Sequence, residues 1–193
     1  MTPTEIIYGI FFQPVSTLRY LKKGKPLLGG LLLFFCVILL NMIINRGLGI
    51  LESQKMALAI NADLFWIWVL LGPIFSLIIL FIMAGLSSLL SEVVYGKANA
   101  VGLLVCLSFA SVPGVLGPPL QYAAVLLGLS GLASFVALGV FVWVMVLQVL
   151  SLREALALQT GQAIFIYLLP LITMSLIFMA VFFILFSILP FSA

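Results

Sequence analysis

The longest run without a charged side chain covers 55 residues, 98–152, between Lys97 and Arg153. One helix of that length would rise roughly 80 Å, more than twice the roughly 30 Å hydrocarbon core of a bilayer. The run must therefore cross, turn and cross back. Gly128–Gly131 supplies the turn, since Gly and Ser permit a tight connection. Water excludes itself as the solvent for such a chain: 65% of its 193 residues are hydrophobic and 7% charged. A soluble domain carries about 25% charged residues, and this surplus of apolar side chain would leave large exposed patches.

The other uncharged gaps locate the remaining spans. Residues 26–45 lie between Lys25 and Arg46, and residues 64–91 between Asp63 and Glu92. No charge follows Glu154, and the polar segment Gln159–Gln162 sets off a last apolar stretch. The expected fold is an all-α polytopic membrane protein, a bundle of five transmembrane helices near 27–44, 64–90, 100–127, 132–150 and 163–189. Phe65, Trp66 and Trp68 suit an interfacial anchor at the start of the second span. Four or six spans stay open, because the third segment is irregular. There Pro113, Gly114, Gly117, Pro118 and Pro119 fall within seven residues. Proline removes a donor and clashes with the preceding turn, so a kink or a local unwinding is expected. Carbonyls freed in lipid need partners in the protein or a wet cavity, so a discontinuous helix at a binding site is the functional alternative.

Residues 1–26 follow a different logic. Thr2-Pro3-Thr4-Glu5 has the form of a capping box with Pro at the first helical position. Ile6, Ile7, Ile10, Phe11, Val15, Leu18 and Leu21 follow at helical spacing. Pro14 divides the segment into two short helices, expected to lie in the membrane interface with Arg19, Lys22, Lys23 and Lys25 against anionic headgroups. A cleaved signal peptide fits poorly, because the charges follow the apolar residues. With five spans, the tail, Lys97 and Arg153 fall on one side, and Arg46 and Lys55 on the other. Six basic residues against two place the amino terminus in the cytoplasm and the carboxyl terminus outside the cell membrane.

Chemistry is harder to assemble. The chain has no histidine, which removes the usual general base and the commonest metal ligand. Asp63 is the only aspartate, and no phosphate-binding Gly-rich loop is present, so paired-aspartate catalysis and nucleotide-driven pumping are excluded. No enzyme, metal or cofactor is expected, and eight basic residues are too few for nucleic acid. Cys36 and Cys106 read as small buried hydrophobes. Glu92 and Glu154 read as solvated boundary charges balanced by Lys97 and Arg153. Asn41, Gln121 and Gln148, with Ser87, Ser88, Ser108 and Ser111, read as cross-links and packing between helices. Ala110/Gly114, Ala124/Gly128, Ser130/Ser134 and Ala133/Ala137 allow close backbone approach, so spans three and four should form a tight hairpin. Self-association stays open.

Ile10-Phe-Phe-Gln-Pro14-Val-Ser-Thr-Leu-Arg-Tyr-Leu21 and Pro26 resemble the opening of the Yip domain, a Rab-interacting family of five-span membrane proteins. Gly96-Lys-Ala98 and Leu107-Ser-Phe-Ala-Ser-Val-Pro113 are similar to its third span. Trp143, Leu152-Arg-Glu-Ala-Leu156 and Gln162-Ala163 are similar to its fourth loop. The resemblance implies five spans and a cytoplasmic amino terminus. Eukaryotic members carry a longer hydrophilic amino-terminal region and act in vesicle traffic through small GTPases. With about 25 residues there, this sequence looks more like the short prokaryotic members. The expected role is a non-enzymatic scaffold or adaptor that meets a partner protein or lipid through Arg19, Lys22, Lys23, Lys25, Lys97 and Arg153. The rival is a small carrier or lipid-handling protein that uses the break at Pro113–Pro119.

Overall fold

Helix α1 (Pro3–Phe12) starts where the capping box predicts, with the Glu5 N–H bonded to the Thr2 hydroxyl and the Glu5 carboxylate to the Thr2 N–H. Gln13 breaks the helix, and α2 (Pro14–Gly24) restarts on a proline that needs no donor in the first turn. The computed structural model describes residues 2–53 and 62–188. Lys55 and the end of the fifth expected span at 189 lie outside the described residues.

Four long apolar elements follow α2. They are α3 (Leu27–Ser53), α4 (Ala62–Tyr95), a segmented third element, and α7 (Ser130–Leu156). All four are long and apolar enough to cross a membrane, so the protein is a multi-pass membrane protein. The helix α8 (Thr160–Ile188) covers the fifth expected span. Among the described residues there is no strand. Several helices outrun the uncharged gaps: α3 continues past Arg46, α4 past Glu92 and α7 past Arg153. A single charge does not stop a helix; left-handed residues do, at Gly96 (φ 66°) after α4 and at Ala157 (φ 53°) after α7. Pro73 and Pro170 lie inside α4 and α8 without ending either helix.

The third element runs as α5 (Ala100–Ala110), a 3-10 turn (Val112–Leu116) and α6 (Gly117–Leu126). The tightening begins where Pro113 cannot donate to the turn before it. Gly128, at φ 75°, then reverses the chain into α7, at the expected turn. This element is the centre of the bundle: 67% of an 18-residue apolar stretch within Ala100–Leu126 is buried, against 17% of such a stretch in α7. It packs along α7 as the tight hairpin that the small-residue pairs predict. On its other flank Gly30 of α3 faces Phe109 and Ser108, where an added Cβ would stand only 3.3 Å away from each.

The amino-terminal segment forms the two expected short helices, and their apolar side meets the bundle. Leu18 and Leu21 are completely buried because α2 packs against α5 and α7, and Ile6 and Ile10 are buried on α1, which packs against α2 and the 3-10 turn. The apolar stripe of α2 meets protein, which fills the space between side chains more completely than lipid tails would. Tyr8 and Phe12, stacked with ring centroids 4.6 Å apart, face outward. Cys106 is buried as expected, its thiol directed at the Leu18 carbonyl, whereas Cys36, also expected to be buried, lies exposed on α3.

Candidate functional site

A helix end leaves its last carbonyls without partners, and at the end of α7 distant parts of the chain supply them. Lys22 of α2 donates to the Glu154 carbonyl at 2.9 Å. Asn99 Nδ2 donates to Ala155 at 3.2 Å, and Lys97 Nζ reaches the Ala157 carbonyl at 2.6 Å. The Glu154 carboxylate, 11% exposed, takes Arg19 at 3.2 Å and Arg153 at 2.8 Å. Glu154 is therefore a tie-point between two arginines, not a solvated boundary charge. Lys97 is held by a carbonyl, not by Glu92, which is exposed.

Asn99 does most of the positioning. Its backbone N–H bonds to the Ser88 hydroxyl, its Oδ1 accepts from the Gly102 N–H and caps α5, and its Nδ2 reaches α7. One side chain thus fixes the α4–α5 link against two helices. Sequence reasoning missed it, although an Asn just before an apolar run is an N-cap signal. The Arg19–Glu154 pair carried no such signal, since 135 residues separate its members.

These ties draw four of the six expected basic residues to one end of the bundle directly. Arg19, Lys22, Lys97 and Arg153 meet the last turn of α7, and Lys25, the left-handed cap of α2, lines the same space as Lys22 and Lys97. Lys23, the sixth, lines it as well. The space is a shallow cavity of about 680 Å³, largely open and lined by these lysines, Asn99 and Ala157.

The break in the third element is arranged differently. Pro113, Gly117 and Pro118 are buried, Gly114 is half-buried and Pro119 is exposed. A Cβ at Gly117 would meet Val140 at 3.6 Å, and one at Gly114 would meet Val144 at 3.8 Å. Side chains of α7 therefore fill the space beside both glycines. Pro118 cannot donate to the Gly114 carbonyl; Asn41 Nδ2 of α3 does so at 3.3 Å, beside the 3-10 bond from Gly117. Asn41 Oδ1 is buried without a partner. Gln148 of α7 accepts from the Tyr167 hydroxyl of α8 at 2.8 Å, a second helix cross-link of the expected kind.

A family model described as Yip1 domain matches residues 8–183, a range that contains every motif quoted for the resemblance. No curated protein and no solved structure matches the chain.

Proposed function

The chain belongs to the Yip1 domain family, not a known enzyme family, and from that premise we propose that it is a non-catalytic membrane scaffold or adaptor. It crosses the cell membrane five times, with α8 as the fifth span, and keeps its amino terminus in the cytoplasm and its carboxyl terminus outside. Its basic end meets a partner protein or the anionic lipid surface. The observation that carries this reading is the gathering of Arg19, Lys22, Lys23, Lys25, Lys97 and Arg153, from three separate chain segments, around the end of α7. Six basic residues on one face suit the cytoplasmic side. They also give a docking partner one continuous surface.

The test is a mild-detergent pull-down of the full chain from its native membrane, followed by reconstitution with each purified candidate. A near-stoichiometric protein that binds the wild type and is lost from Arg19→Gln/Lys23→Gln supports the adaptor. A clean preparation, or a partner indifferent to both charges, overturns it. A second reading, the small carrier, has one observation in its favour: the unpartnered Asn41 Oδ1 beside the broken helix. Solute or lipid movement in reconstituted vesicles, abolished by Asn41→Leu, would support that reading instead.

A further inference from the structure

The lysine-walled cavity has a charge balance that helix capping alone does not explain. Three helix C-termini converge on it, those of α2, α4 and α7, through the left-handed residues Lys25, Gly96 and Ala157. Each C-terminus carries roughly half a negative elementary charge, so together they contribute about −1.5. The N-terminus of α5, which begins beside Asn99, returns about +0.5. Against this stand four lysines, Lys22, Lys23, Lys25 and Lys97. The Glu154 carboxylate does not reduce the excess, because Arg19 and Arg153 already hold it. Glu92 is exposed on α4 and is not among the cavity's walls. The cavity keeps an excess of about +3 by this count.

We infer that this cavity binds a phosphomonoester group. Such a group carries about −1.5 to −2 charges at pH 7 and three strong acceptor oxygens. Lys22 and Lys97 are held in place by the Glu154 and Ala157 carbonyls, each leaving two of an ammonium's three donors for a ligand. Among the described residues, Lys23 and Lys25 are in no ion pair. Two tethered and two free ammonium groups around one shallow, open depression can converge on a single anion. Its level in the fold identifies two sources for the phosphate. The starts of α3, α5 and α8 and the ends of α4 and α7 all lie in the adjoining links, at the edge of the apolar spans, where lipid phosphates sit. A soluble phosphomonoester would reach the same opening from the water. The site stands on these residues alone, so a failed pull-down leaves it untouched.

The experiment uses the full chain in phosphatidylcholine nanodiscs. Phosphatidic acid retention is compared with that of phosphatidylglycerol by native mass spectrometry, and glycerol 3-phosphate is titrated by calorimetry. We expect phosphatidic acid to be retained about tenfold over phosphatidylglycerol, and about tenfold less by Lys23→Gln/Lys25→Gln. Both lysines are exposed and tie no other element, so the variant should keep its melting temperature. Arg46→Gln, at the far end of α3, should retain the lipid as the wild type does. Tighter binding of phosphatidic acid than of glycerol 3-phosphate assigns the site to a lipid. Equal or tighter binding of glycerol 3-phosphate, with the same loss in the double variant, assigns it to a soluble ligand. Equal retention of the two lipids with no glycerol 3-phosphate binding, or no loss on removing both lysines, overturns the proposal.

Discussion

Helices α5 and α6 are halves of one membrane segment, nearly equal in length and both apolar, yet their surroundings are opposite. In α5 every residue from Gly102 to Ala110 is buried, whereas α6 buries only Gly117, Pro118 and Ala124. The difference comes from what lies alongside. The amino-terminal α2 packs against α5, and Leu18 and Leu21 are fully buried there, while Leu120 and Leu126 of α6 stay exposed. An apolar side chain in a membrane protein has two good solvents, lipid and protein, and its own chemistry does not choose between them. The choice is made by shape and by the polar ties that hold a neighbour in place.

Truncating the α2 leucines that cover α5 and the exposed leucines of α6 tests that contrast most severely. Leu18→Ala or Leu21→Ala should destabilise the protein by about 2–5 kcal/mol, because each leaves a cavity between helices that cannot close. Leu120→Ala and Leu126→Ala should stay within about 0.5 kcal/mol, since lipid or detergent follows the receding side chain. Thermal unfolding in detergent reads all four. Equal losses at the α2 and α6 leucines would mean that α2 does not cover α5 in the membrane.

The ties come next. Glu154→Gln removes the charge that holds Arg19 and Arg153 but leaves the carbonyl that accepts from Lys22. Arg19 is 62% exposed, so solvent screens much of the pair and the expected cost is about 1 kcal/mol. That cost should appear as roughly fivefold faster tryptic cleavage within α2, the element whose local opening it promotes. High salt should bring the wild type toward the variant. Unchanged cleavage would show that packing alone holds α2 down.

Much of this fold is legible in the residues. The uncharged gaps locate the spans, Gly128 the turn, the three prolines the break, and Thr2-Pro3-Thr4-Glu5 the first helix, because each signal is local. The depth of α2 in the bundle was not legible. Amphipathic spacing says that Leu18 and Leu21 share a face, and the same spacing serves a helix on lipid and a helix on protein. Of the candidate site, the six basic residues could be named from the sequence, but not their convergence. Lys22 with Glu154, Lys97 with Ala157 and Asn99 with Ala155 are partners through backbone carbonyls, which every residue carries and no sequence pattern marks.

The break between α5 and α6 gives the smallest effect and the finest distinction. Asn41 donates to a Gly114 carbonyl that also accepts from Gly117, and its own Oδ1 is buried without a partner. Asn41→Ala therefore removes one helpful bond of about 1 kcal/mol and, with it, the similar cost of burying an unsatisfied oxygen. The two nearly cancel, and thermal unfolding should move by less than about 0.5 kcal/mol. Pro118→Ala restores an N–H that can serve the Gly114 carbonyl, so in that background the Asn41 substitution should be neutral or stabilising. The non-additivity of the double variant measures the substitution of one donor for the other. A loss above about 2 kcal/mol for Asn41→Ala alone would mean that Oδ1 has a bound partner in the membrane, water or ligand. The break would then be a site rather than a packed kink.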